Sequence, residues 1–212
     1  MKITKFAHAC VLVETPDRVG LFDPGNYSWE SGTFDIEKLE KLDDILITHQ
    51  HPDHMYLPFI TALIAKFPNV SITTTEGALE ELKSKGITNV STVESDVVSL
   101  FRSDHEPMEP LASPPQVANT GIHYLNMISH PGDSHHFDET KTVLALPICA
   151  PWGITARAAA IITELQPQYV LPIHDWLWRD EIRLKFYERF SEFCKDAGAT
   201  FLTPEDGKPI EI

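Results

Sequence analysis

The stretch Asp44-Ile45-Leu46-Ile47-Thr48-His49-Gln50-His51-Pro52-Asp53-His54 decides how this chain is read. Its first half is a short apolar run of the buried-strand type, and it delivers the backbone directly to His49. His49 and His51 are two residues apart, so in extended chain their imidazoles point the same way and can grip one ion together. Asp53 and His54 continue the turn. Four potential ligands in six residues exceed what one tetrahedral zinc can accept from so short a piece of chain, because all four would converge from one side. Dividing them between two adjacent ions relieves the crowding, with His49 and His51 on the first and Asp53 and His54 on the second.

Upstream, residues 3–6, 10–14 and 18–22 read as a β-meander that ends at Asp23-Pro24-Gly25. Residues 35–42 read as a short helix. Pro58 suits the first turn of a helix, which places one over 58–67 after an irregular lead-in. A β-branched strand over 70–75, a helix over 76–85 stopped by Gly86, and a strand over 96–101 follow. Prolines at 107, 110, 114 and 115 make 106–120 a rigid irregular loop. Residues 122–128 and 142–147 read as strands, 155–165 as an Ala-rich helix, 169–173 as a strand ending at His174, and 179–195 as a last helix; the tail from 199 adds a strand or two. Strands cluster in both halves with helices after each cluster, a pattern that suits two sheets sandwiched between helices.

Three further residues sit where a strand gives way to a loop: His105, Asp133 and His174. Strand ends collect grafted sites. A carboxylate has two oxygens and can bridge two cations, which makes Asp133, next to the pliant Gly132, the natural shared ligand. Asp23 is expected behind the ligands, because a metal-bound histidine needs an acceptor on its other nitrogen. His8 is a candidate for substrate contact or core packing. His135 and His136 are expected to be solvated loop residues, His123 and His130 packing or surface residues, and Trp152, Trp176 and Trp178 pocket-mouth or core residues.

An HxHxDH tract after an apolar strand, then a lone His, a Gly-Asp after a strand and a final His after another strand, resembles the metallo-β-lactamase superfamily over essentially the whole chain. The fragments Ala7-His8-Ala9, Leu21-Phe22-Asp23-Pro24, His130-Pro131-Gly132-Asp133-Ser134, Leu146-Pro147-Ile148 and Leu171-Pro172-Ile173-His174 are similar to the branch containing ascorbate-6-phosphate lactonase and related metal-dependent hydrolases. The resemblance implies a four-layer αββα sandwich, an α/β (α+β) fold, formed as a single domain over 1–212. It implies His49, His51 and His105 on one ion, Asp53, His54 and His174 on the other, and Asp133 between them. Two departures bear on substrate: Ala7 stands where the branch usually has glycine, and Thr142-Val143-Leu144-Ala145 replaces a frequent strand-end acid.

Two cations roughly 3.5–4 Å apart would share a water and bring its pKa towards neutrality. The expected activity is therefore metal-dependent hydrolysis of an ester, lactone or phosphoester in a small metabolite by a hydroxide bridged between two metal ions. Asp53 would be both ligand and proton carrier. Zinc is the expected ion, while manganese and iron suit the same ligands. The alternatives are an iron-dependent sulfur dioxygenase-type oxidoreductase on the same fold and a weakly catalytic metal-binding regulatory protein. Seventeen basic against 31 acidic residues leave a net charge of −14, which argues against nucleic-acid and membrane partners. Cys10, Cys149 and Cys194 form no CxxC pair, the opening residues lack a signal-peptide apolar run, and no membrane-length apolar run follows, so a cytoplasmic protein is expected.

Overall fold

A computed structural model describes residues 1–108 and 117–212. Pro110, Pro114 and Pro115 of the expected proline-rich loop lie outside the described residues. The chain forms two compact units, Met1–Glu94 with Pro204–Ile212, and Ser95–Thr203.

The first unit contains strands Lys2–Lys5 (β1), Val11–Glu14 (β2) and Val19–Phe22 (β3), helix Asn26–Glu30 (α1), strand Asp44–Leu46 (β4), helix Leu57–Lys66 (α2), strand Ser71–Thr73 (β5), helix Glu76–Ser84 (α3) and strand Val90–Ser91 (β6). The C-terminal strand Pro209–Glu211 pairs antiparallel with β1 and completes a sheet whose order continues β1-β2-β3-β4-β5-β6. β1 to β3 form the expected antiparallel meander, and β3 to β6 are parallel. Parallel neighbours require crossovers, and α2 and α3 supply them between β4, β5 and β6. α2 begins with Pro58 in its first turn and buries Phe59, Ile60 and Leu63 against Leu21, Ile45 and Ile72. At α3 the Thr75 hydroxyl accepts from the Ala78 N–H, and Gly86, at φ 84°, takes the left-handed conformation beyond its end.

The expected helix over 35–42 is reduced to one 3₁₀ turn, Ile36–Lys38. Two of the carbonyls a longer helix would need, those of Ile36 and Glu37, accept instead from Lys66 Nζ at 2.6 and 3.0 Å. Leu39 and Leu42 then turn into the core.

The second unit contains strands Val98–Phe101 (β7), Gly121–Tyr124 (β8), Ile128–His130 (β9) and Val143–Pro147 (β10), helix Thr155–Leu165 (α4), strand Tyr169–Ile173 (β11), helix Asp180–Asp196 (α5) and strand Thr200–Phe201 (β12). Its sheet runs β12-β11-β10-β9-β8-β7, antiparallel over β7 to β9 and parallel from β9 onward. Leu144, Leu146, Ile161, Val170 and Phe190 belong to its core. The single strand expected over 122–128 is a hairpin: Leu125 and Asn126 both take positive φ, 54° and 53°, as the two central residues of a tight turn matched to strand twist require. No glycine marks this turn, so its sequence reads as continuous strand.

His8 follows β1, Asp23 follows β3 and the His49 tract follows β4, three strands that run in one direction in the first unit. In the second unit His105, Asp133 and His174 follow β7, β9 and β11, which also share one direction. Each unit thus gathers its donors at the carboxyl ends of its strands, where α/β sheets bind ligands.

Candidate metal centre

In the first unit, β4 hands the chain to His49, whose Nε2 lies 3.1 Å from His51 Nδ1. Two nitrogens bound at 2.0–2.1 Å to one tetrahedral zinc would be about 3.3 Å apart, so this pair has nearly the spacing of two ligands on one ion. Thr48 Oγ1 is 3.1 Å from the other nitrogen of His49, Nδ1. His54, with no exposed surface, directs Nδ1 to Asp23 Oδ2 at 2.7 Å and Nε2 towards Asp53 Oδ2 at 3.8 Å.

Asp23 is fully buried and also accepts from the Thr48 N–H at 2.8 Å and the Thr48 hydroxyl at 2.9 Å. It is therefore more than a turn residue. It holds the His54 ring and ties β3 to the start of the histidine tract. His8, 2% exposed, places Nε2 3.2 Å from Asp53 Oδ2. Its ring meets those of Tyr27 and His54 edge-on, with centroids 5.1 and 5.8 Å away. Tyr27, on the unanticipated α1, has its pKa raised by partial burial and by the nearby charges of Asp53 and Glu30.

Gly25 explains how these loops come so close. A Cβ at that position would lie 1.7 Å from the Asp53 carbonyl oxygen. The loops are also joined by Asn26 N–H donating to the Pro52 carbonyl at 2.9 Å and Tyr56 N–H donating to the Pro24 carbonyl at 3.0 Å. His8 and Asp23 have φ values of 66° and 42°. Such left-handed conformations cost a non-glycine residue about 1–3 kcal/mol and tend to occur at functional sites.

In the second unit, Asp133 is 4% exposed, with Oδ1 2.6 Å from His174 Nε2 and Oδ2 3.7 Å from His105 Nε2. His105 directs Nδ1 to the Glu106 carbonyl at 2.7 Å. The Asp133 loop is tied down from several sides. Its carbonyl accepts from Glu106 N–H at 2.9 Å, and its N–H donates to Asn119 Oδ1 at 3.2 Å. Asn119 Nδ2 donates to the carbonyls of Ser103 and Pro131 at 2.6 and 2.8 Å. Gly132 is at φ 65° and His174 at φ 64°. Beside His174, buried Asp175 accepts from the Tyr187 hydroxyl, which secures the start of this loop to α5.

The structure corrects the expectation for His135, which is 4% exposed rather than solvated. Its Nε2 lies 2.8 Å from the Pro147 carbonyl and its N–H donates to Glu106 Oε1 at 2.7 Å. Burial lowers its pKa, and the Pro147 hydrogen bond acts the other way. His136 is exposed, as expected, and lies 3.2 Å from Glu106. His123 is a packed strand residue, stacked on Phe101 at 4.3 Å, with Nδ1 2.8 Å from Ser129 Oγ. Glu106, Asn119 and Asp175 went unnoticed in the sequence. Glu106 and Asp175, adjacent to His105 and His174, had a local signal, and Asn119 had none.

Two cavities in the first unit, of about 630 and 530 Å³, are lined by residues such as Lys2, Glu14 and Phe34, and none of the histidines lines either. Among the described residues no helix is long and apolar enough to cross a membrane.

The donor chemistry fits divalent cations. His54 and His105 each direct Nδ1 to an oxygen acceptor, which places the proton on Nδ1 and leaves the Nε2 lone pair able to bind a cation. Each unit also contributes at least one carboxylate beside its histidines.

A family model described as beta-lactamase superfamily domain matches residues 2–174. Protein Rv0786c of Mycobacterium tuberculosis is 28% identical over 204 residues, spanning 91% of this chain and 92% of that protein. Igni18, described as a novel metallo hydrolase from the archaeon Ignicoccus hospitalis, superposes with a TM-score of 0.71 at 19% identity, covering 99% of this chain and 97% of Igni18. The metallo-beta-lactamase fold protein YhfI from Bacillus subtilis superposes with a TM-score of 0.68 at 16% identity, covering 99% and 98%. The fold is thus of the metallo-β-lactamase type.

Proposed function

Because this chain belongs to the beta-lactamase superfamily, we propose that it is a metal-dependent hydrolase that cleaves an ester, lactone or phosphoester bond in a small metabolite. The observation that carries this reading is the tautomer control at His54 and His105, an arrangement a cation site requires and a solvated loop does not. His49, His51 and His105 would hold one divalent ion, and Asp53, His54 and His174 a second, with Asp133 shared between them. Zinc is the proposed metal, with manganese or iron accepted by the same ligands. When bound, such ions supply an acidified water and a Lewis acid for the substrate oxygen.

The chain's own groups do the rest. Asp53 orients the attacking water and carries its proton to the leaving group. His8, 3.2 Å from Asp53 Oδ2, holds that carboxylate in place, and Asp23 anchors the His54 ring from behind. A net charge of −14 favours a small-molecule substrate over nucleic acid or anionic lipid, and the three free cysteines suit a cytoplasmic location. The motif similarity to the lactonase branch makes lactones and phosphorylated esters the first substrates to try.

Elemental analysis of purified protein, paired with an ester, lactone, phosphodiester and thioester panel on wild type and Asp53→Ala, tests the reading. We expect two equivalents of metal and a turnover that Asp53→Ala loses at least 100-fold. Metal-loaded protein that cleaves nothing in the panel, or iron-loaded protein that consumes dioxygen, would overturn it.

A further inference from the structure

The segment between β10 and α4 carries Trp152, whose indole N–H donates to Asp133 Oδ2 at 3.1 Å. The same ring packs edge-on against His174 and His135, with centroids 5.3 and 5.4 Å away. His135 is itself anchored, its Nε2 to the Pro147 carbonyl at the end of β10 and its N–H to Glu106 Oε1. Residue 153 has to be small: a Cβ on Gly153 would stand 2.9 Å from His135 Cε1. Thr155 Oγ1 donates to the Ile148 carbonyl at 3.0 Å and closes the far end of the segment. The indole is therefore aimed by ring packing and by the anchored segment around it as well as by its bond to Asp133.

The choice of donor matters. A lysine or arginine on Oδ2 would neutralise the carboxylate and compete with a cation for its charge. An indole N–H is neutral, carries one hydrogen and cannot accept, so it restrains the carboxylate's rotation and leaves its negative charge in place. A carboxylate oxygen has two lone pairs, and one N–H leaves the second for another partner.

We propose that Trp152 is a positioning residue that, through its indole N–H, holds the Asp133 carboxylate in the orientation a bound cation requires. This rests on the metal-binding reading above. Removing such an outer partner costs about 10- to 100-fold in metal affinity.

Zinc affinity, measured by competition with a chromophoric chelator, should fall by that factor in Trp152→Phe, while the melting temperature of the metal-free protein stays unchanged. Trp178→Phe, which alters a tryptophan stacked on Phe186, should bind zinc within twofold of wild type. In ¹⁵N spectra of the metal-free wild type, the Trp152 indole signal, assigned by triple resonance, should move in Asp133→Asn. That second measurement decides the matter should Trp152→Phe fail to fold. Wild type that binds zinc, with Trp152→Phe binding equally well, overturns the role of Trp152 alone. An indole signal indifferent to Asp133→Asn does the same. Wild type that takes up no zinc overturns the metal-binding reading and this proposal with it.

Discussion

A buried carboxylate that accepts from a histidine ring controls which ring nitrogen carries the proton, and Asp23 does this for His54. Asp23→Asn tests that role cleanly. Asparagine tolerates the φ of 42° and can still accept from the Thr48 N–H, yet it lacks the charge that draws the His54 N–H. Zinc affinity should fall about 10- to 100-fold by chelator competition, with little change in metal-free stability. Undiminished affinity would mean that Asp23 is purely structural.

His123 supports a pH prediction. Burial lowers its pKa from 6.5, while the hydrogen bond that its ring N–H donates to Glu139 opposes the shift and Lys141 adds to it. The unfolded chain therefore takes up this proton first as pH falls. Stability is complete above about pH 6.5 and declines below it until the folded-state ring is also protonated. Melting temperatures of the metal-free protein from about pH 7.5 to about pH 5 should drop, and less steeply in His123→Gln. An identical slope in the variant would assign the loss to other groups, buried His135 first among them.

At the scale of elements, the first unit depends on two loops meeting backbone to backbone. Gly25→Ala places a methyl group 1.7 Å from the Asp53 carbonyl oxygen, and no side-chain rotation can relieve a clash with main chain. The loops must part, breaking the Asn26 to Pro52 and Tyr56 to Pro24 hydrogen bonds. We expect a loss of about 2–4 kcal/mol in urea unfolding together with weakened metal binding. A variant as stable as wild type would show that the approach is looser than described. The 3₁₀ turn Ile36–Lys38 and the Leu125-Asn126 hairpin show the same dependence on neighbours, since Lys66 limits one and strand twist shapes the other.

For the whole molecule, occupancy of the proposed ligands is coupled to folding. An ion that binds only the native state stabilises it by about 2.7 kcal/mol at a hundredfold excess over Kd. Chelation should therefore lower the melting temperature by roughly 5–10 °C, and zinc should restore it. Hydrogen exchange would then show lost protection in the loops that carry the proposed ligands. A loop that keeps full protection would remove its residue from the ligand set.

The strands that lead to histidines and the helices of the second unit are legible in the sequence alone, whereas the seven proposed ligands rest on a family resemblance. The legible features are local: residues two apart in extended chain point the same way, as His49 and His51 read, and Tyr169–Ile173 reads as a strand from its own residues. Tertiary structure alone decided which acceptor each ring faces. His54 meets an aspartate 31 residues away, Trp152 an aspartate 19 residues away, and His135 is buried on the Pro147 carbonyl. Such pairings depend on strand order, on close approaches like that of Gly25 and on competition for carbonyls. Periodicity encodes which face a residue occupies, not what lies across from it.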